Sequence, residues 1–174
     1  MNTHLLLMGA AAVLLASLAA AEQPSIRASL QPVKERKPAP EFALKDSSGK
    51  TVNLKDYRGK VVLLDFWATW CHGCKQEIPW FSEFERTYGA KGLAVVGVSM
   101  DVGGWKVLRP FLAETPVPYR MLLGDEATAK LYGIETMPDT FLIDRHGNVA
   151  AAYRAGLVDK DNLEANIKAL VSKR

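Results

Sequence analysis

Apolar and polar residues change period several times along this chain, and each change marks an element. Phe42 and Leu44 alternate with polar neighbours, Asp46-Ser47-Ser48-Gly49 has turn chemistry, and Val52 and Leu54 alternate again. That pattern predicts a β-hairpin. Val61 to Trp67 is an apolar run too short for a helix and suited to a buried strand. Ile78, Phe81, Phe84 and Tyr88 then recur at helical spacing, with Lys75, Gln76, Glu83, Glu85 and Arg86 facing out, until Gly89 and Gly92 end the pattern. Leu93 to Ser99 has the continuous apolar character of a strand buried on both faces. Trp105, Leu108, Phe111 and Leu112 predict a second helix, Met121 to Leu123 a short strand, and Ala127 to Tyr132 a short helix. Thr140 to Ile143 is a further strand, and Arg145-His146-Gly147-Asn148 turns the chain into Val149 to Arg154. Leu163, Ile167, Leu170 and Val171 give a C-terminal helix. Such alternation predicts an α/β fold with a mixed central sheet and helices on both faces.

The first 38 residues stand apart from this pattern. Leu5 to Leu18 is an apolar stretch followed by Ala19-Ala20-Ala21, so residues 1–21 are expected to be an export signal peptide, or else an N-terminal membrane anchor. The stretch before it holds no Lys or Arg, a departure from the usual signal. Residues 22–38 are polar, carry three prolines and keep no period, and are expected to form a linker. The folded domain is then 39–174.

Composition narrows the classes. A chain of 174 residues builds one domain with a real core. The formal net charge of +3 has no basic cluster interleaved with aromatics, which sets nucleic acid aside. Both cysteines of the chain fall in one motif, fewer than a disulfide-stapled secreted domain would carry.

That motif is Cys71-His72-Gly73-Cys74, placed where the apolar strand ends and the helical pattern begins. The first turn of a helix offers unpaired N–H groups and the positive end of the macrodipole, which favour a thiolate over a thiol. Two cysteines three apart on such a turn can close a small disulfide, and the more exposed one has the lowered pKa. Zinc in a structural site wants four N or S ligands, whereas the chain has two cysteines and three histidines. A purely structural bridge closing so short a loop removes little unfolded-state entropy. The motif therefore points to thiol–disulfide exchange, needing neither metal nor prosthetic group. His72 beside Cys71 would stabilise a thiolate when protonated, or else stands as an inert loop residue.

Two carboxylates belong with the dithiol. Asp65 lies in the middle of the apolar run, where burial raises a carboxyl pKa, and is a candidate base for Cys74. Glu77, three residues after Cys74, shares its helix face; a solvated helix charge is the other reading.

The segments DFWATWCHGC, KQEIP and MPDTFLID, with the preceding hairpin, resemble the thioredoxin superfamily over residues 39–174. Within it, the chain is similar to the extracytoplasmic TlpA/ResA/CcmG-like thiol–disulfide oxidoreductases. The resemblance implies a thioredoxin-like fold with an N-terminal β-hairpin and a β/α insertion at about residues 102–123. It also implies that Cys71 attacks, Cys74 resolves, and Pro138 is the cis proline facing the dithiol. Met137, just before that proline, would then offer its backbone to a substrate strand, with Trp70 as an apolar lip and His72 and Gly73 beside it. Having both Asp65 and Glu77 in one site mixes two patterns of the superfamily. By the same resemblance, the expected partners are protein dithiols and disulfides, apocytochrome c among them, with a membrane thiol transporter as electron donor. A periplasmic or other extracytoplasmic monomer is expected. Net oxidation of secreted thiols is the alternative. Peroxidase chemistry lacks a Thr-x-x-Cys before a helix, and a copper carrier would use Cys71, Cys74 and His146.

Overall fold

In the computed structural model, residues 25–172 are described. The expected export segment lies outside them. Strands β1 (Ala43–Asp46) and β2 (Thr51–Asn53) form the hairpin, and β3 (Val61–Trp67) leads into α1 (His72–Tyr88). Then follow β4 (Leu93–Ser99), α2 (Trp105–Glu114), β5 (Arg120–Leu123), α3 (Glu126–Tyr132), β6 (Asp139–Ile143), β7 (Val149–Tyr153) and α4 (Lys160–Val171). The sheet order is β2-β1-β5-β4-β3-β6-β7. Its centre, β3-β4-β5, is parallel, and the flanking pairs are antiparallel. This is the α/β thioredoxin-like architecture, its sheet mixed as the alternation predicts.

Alternation within β3 builds two cores. Val61, Leu63 and Trp67 face one side, with Ile78, Phe81 and Phe84 of α1, Leu108 of α2, and Leu163 and Ile167 of α4. Val62, Leu64 and Phe66 face the other, with Phe42, Leu44 and Tyr132. Every residue of β3 and β4 is buried, which is why both strands read as unbroken apolar runs. One polar residue interrupts β3, and it is Asp65.

Residues 25–38 do not behave as the expected linker. Ile26 pairs in parallel with Val158, its N–H donating to Leu157 O at 2.7 Å and its carbonyl accepting from Asp159 N at 2.8 Å. Gln31 N donates to Ala150 O of β7, and Ala28 N donates to Asn162 Oδ1 of α4. Ile26, Ala28 and Leu30 pack onto the first core. Arg36 pairs with Asp144 at 3.0 Å, both side chains being 6% exposed. The prolines conceal a period of two at 26, 28 and 30, and the segment shields the outer edge of β7.

Candidate active site

The dithiol stands where β3 gives way to α1. Cys71 is the N-cap of α1, and its sulfur accepts the backbone N–H of Cys74 at 3.2 Å. The two sulfurs are joined, with the Cα atoms 5.3 Å apart. Cys71 is 6% exposed and Cys74 fully buried, so an approaching disulfide meets Cys71. Because the sulfur already accepts an N–H at a helix N-terminus, a thiolate formed there gains a charge-assisted hydrogen bond.

Around this pair the surface is open and partly apolar. Trp70 is 67% exposed, His72 is exposed, and Met137 is half-buried. Gly73 faces the Pro138 ring, where an added Cβ would stand 3.5 Å from Cδ. The Met137–Pro138 bond is cis. The structure thus brings Trp70, Cys71, Gly73 and Pro138 to one end of the sheet.

His146 is elsewhere. It sits in the β6–β7 turn beyond Ile143, which pairs with Val62 near the start of β3, whereas the cysteines follow the end of that strand. A copper site of Cys71, Cys74 and His146 is therefore ruled out by topology.

The two carboxylates converge from different elements. Asp65 pairs with Gly97 and Thr140 on its neighbouring strands and points into the core under α1. Burial pushes its carboxyl up to about 8, the Thr140 hydroxyl at 3.4 Å opposes this, and the charge of Asp139 adds to it. Glu77 is fully buried, so the solvated-charge reading fails. Its Oε1 accepts from Val158 N at 2.8 Å. Burial first, then the nearby Asp65 charge, pushes it up to about 9. Two raised carboxyls within mutual electrostatic reach cannot easily both ionise.

Three polar residues here escape sequence reasoning. Asp101 accepts from Thr69 N at 3.0 Å, Thr69 Oγ1 at 2.6 Å and Ser99 Oγ at 2.8 Å, tying the loop that delivers Cys71 to the end of β4. Asp139 is buried beside Pro138 and pairs with Arg154 at 3.0 Å. Thr140 reaches Asp65 only because β6 runs antiparallel to β3 in this register. Each depends on strand pairing across tens of residues, although the Asp and Thr after the proline already stand in the MPDTFLID segment.

A sequence profile of the AhpC/TSA family matches residues 36–152. The chain belongs to the AhpC/TSA family. Within that family it is similar to a thiol-disulfide oxidoreductase ResA of Bacillus thuringiensis, 34% identical over 134 residues that cover 76% of each chain. It is similar also to the thioredoxin-like protein YneN of Bacillus subtilis, 33% identical over 137 residues, 78% of this chain and 79% of that one. Among solved structures, one from Chlorobium tepidum described as a thiol:disulfide interchange protein DsbE superposes with a TM-score of 0.74. It is 39% identical, and the match covers 82% of this chain and 99% of that one. This AhpC/TSA member is a thiol–disulfide oxidoreductase of the ResA/DsbE type, with Cys71 and Cys74 as its CxxC pair.

Proposed function

We propose that the protein is an extracytoplasmic disulfide reductase in which Cys71 attacks, Cys74 resolves, and Asp65 with Glu77 handles the resolving proton. The observation that carries this is the contrast between the two sulfurs. Cys71 meets solvent at a helix N-terminus, while Cys74 is fully buried on the inward face of α1, the face that also carries the buried Glu77 and covers the side of β3 that holds Asp65. In the reduced protein the Cys71 thiolate attacks a substrate disulfide, and one substrate sulfur leaves as a thiolate. Cys74 then gives its proton to the Asp65 carboxylate and attacks Cys71 Sγ. The bond between Cys71 and the substrate breaks, so the substrate gains two electrons and the protein regains its disulfide. A carboxyl near 8 is matched to a thiol of ordinary pKa about 8.5, which makes that transfer close to balanced.

Trp70 and the Met137 backbone supply the surface for an extended substrate segment, with His72 and Gly73 at its edge. The substrates fitting this surface are protein disulfides, including the haem-site cysteines of apocytochrome c. A membrane thiol transporter would return electrons to a monomeric domain. Among the described residues no helix is long and apolar enough to cross a membrane.

Insulin reduction with dithiothreitol tests the assignment: activity is expected in the parent protein and none in Cys71→Ser. Equilibration against glutathione tests the direction. A potential between roughly −270 and −180 mV supports a reductase, whereas one near about −120 mV supports net oxidation.

A further inference from the structure

Residues 133–138 join the end of α3 to the start of β6. Met137 belongs to this loop and immediately precedes the Pro138 ring that Gly73 faces. Among the described residues, the backbone of Glu135, Thr136 and Met137 makes no hydrogen bond to other backbone. The loop is therefore fixed at its ends rather than along its length. Both ends lead to one side chain.

That side chain is Arg154, which follows the last residue of β7. Its Nη1 donates to Tyr132 O at 2.9 Å and its Nη2 donates to Gly133 O, at the point where α3 closes. On the far side of the loop its Nε pairs with Oδ2 of the buried Asp139 at 3.0 Å. The guanidinium also stands over the Phe141 ring, 5.2 Å from its centre, which seats it against β6. A helix leaves its last carbonyls unpaired, and a guanidinium offers several N–H groups in one rigid plane. One arginine can thus hold two carbonyls and a carboxylate at once.

The turn after Arg154 is fastened to the same loop. Asp139 Oδ1 accepts from Ala155 N at 2.5 Å, and Gly156 N donates to Pro138 O at 3.3 Å. Ala155 has a φ of 60°, the one positive φ outside glycine among the described residues. Such a conformation is strained for a residue with a Cβ and persists only where the surroundings over-determine the backbone. Here the surroundings are the carboxylate of Asp139 and the carbonyl of Pro138. The Arg154 side chain is itself 41% exposed, so its contacts fix the loop's place more than they add to the core.

We propose that Arg154 is a positioning residue for substrate: it holds residues 133–138 so that the unpaired backbone at Met137 is preset to pair with an extended segment of a protein disulfide. The inference rests on the exchange reading above. Pairing with a loop already in place avoids the ordering cost that a loose loop would add. Arg154 takes no part in making or breaking bonds; the step it serves is the attack of Cys71. Its effect is confined to substrates that have a backbone to pair. A small disulfide without peptide groups reaches Cys71 without using the loop.

The test uses a Cys74→Ala background, in which attack is read alone as mixed-disulfide formation, by alkylation and mass spectrometry. Two reagents are compared: insulin, and bis(2-hydroxyethyl) disulfide, which has no peptide backbone. Adding Arg154→Ala should slow the reaction with insulin about tenfold, within what misplacing a binding group costs, and leave the small disulfide's rate unchanged. Arg154→Lys keeps the positive charge beside Asp139 but not the planar fork, and should show the same selective loss. An unchanged insulin rate in Arg154→Ala would overturn the proposal, as would equal slowing with both reagents, which marks a general defect of the site. A full insulin rate in Arg154→Lys would overturn it too, because charge alone would then suffice. Those outcomes leave the exchange reading standing. Failure of the Cys74→Ala protein to form a mixed disulfide with either reagent would remove the exchange reading and this proposal together.

Discussion

Thr140 Oγ1 lies 3.4 Å from Asp65 Oδ1 across the β3–β6 pairing, where it donates a long hydrogen bond to a carboxyl that is 2% exposed. One weak donor does not offset the desolvation of a full charge, so the carboxyl is held neutral until well above the usual range. The arrangement sacrifices stability, which fits the proposed role of Asp65 as the base for Cys74.

That sacrifice is measurable. Asp65 and Glu77 have folded pKa values above their unfolded ones, so their favourable contribution is complete below about pH 4 and is lost as pH rises toward 8 and 9. Burial raises Asp139 as well, which adds to the same fall, while the lowered carboxyls, Asp46, Asp56, Asp144, Asp159 and Glu164, act at lower pH and leave this window alone. Urea unfolding of the oxidised protein should show stability falling from pH 5 to pH 9. Asp65→Asn should flatten that slope and stabilise the protein at pH 7 by on the order of 3 kcal/mol. An unchanged slope in the variant would show that Asp65 ionises freely.

The same substitution separates the two chemical steps. Asp65→Asn should leave the attack of Cys71 unaltered and slow resolution by Cys74 at least tenfold, within the range of general-base effects. Rapid mixing with a fluorescent mixed-disulfide substrate resolves both steps. Resolution at the parent rate in Asp65→Asn, but slowed in Glu77→Gln, would move the role of base to Glu77.

Much of this was legible in the sequence, and the rest was hidden for physical reasons. Cys71 and Cys74 announce themselves by spacing and by their place between strand and helix. Asp65 is conspicuous because a charge interrupts seven residues of buried strand. Glu77 is ambiguous by spacing alone, since any i+3 position on α1 could face solvent; its burial depends on Val158 and on Ile26, which pairs with that residue. The segment before residue 39 was misjudged because prolines and charges mask three inward residues, and because Arg36 finds its partner 108 positions away. Asp101 and Asp139 look like ordinary loop and strand-end residues until β4 and β6 are laid beside β3.

Arg36 offers a direct check on that segment. Its ion pair with Asp144 is almost fully enclosed, and removing one partner of a buried pair typically costs about 3 kcal/mol or more. Lys160 and Glu83 form a pair of similar length, with side chains 34% and 54% exposed, which is worth less than about 1 kcal/mol. Denaturant titration should therefore rank Arg36→Ala well below Lys160→Ala in stability. Equal stabilities would mean that the N-terminal segment is detached from the domain in solution.

The central claim is that Cys71 takes up the substrate and Cys74 releases it. Reduced Cys74→Ala protein, incubated with a folded disulfide protein and quenched with alkylating agent, should accumulate a mixed disulfide. Mass spectrometry should place it on Cys71, and the parent protein under the same conditions should show almost none. A Cys74→Ala sample that stays wholly free, with its Cys71 thiol alkylated, would contradict the account.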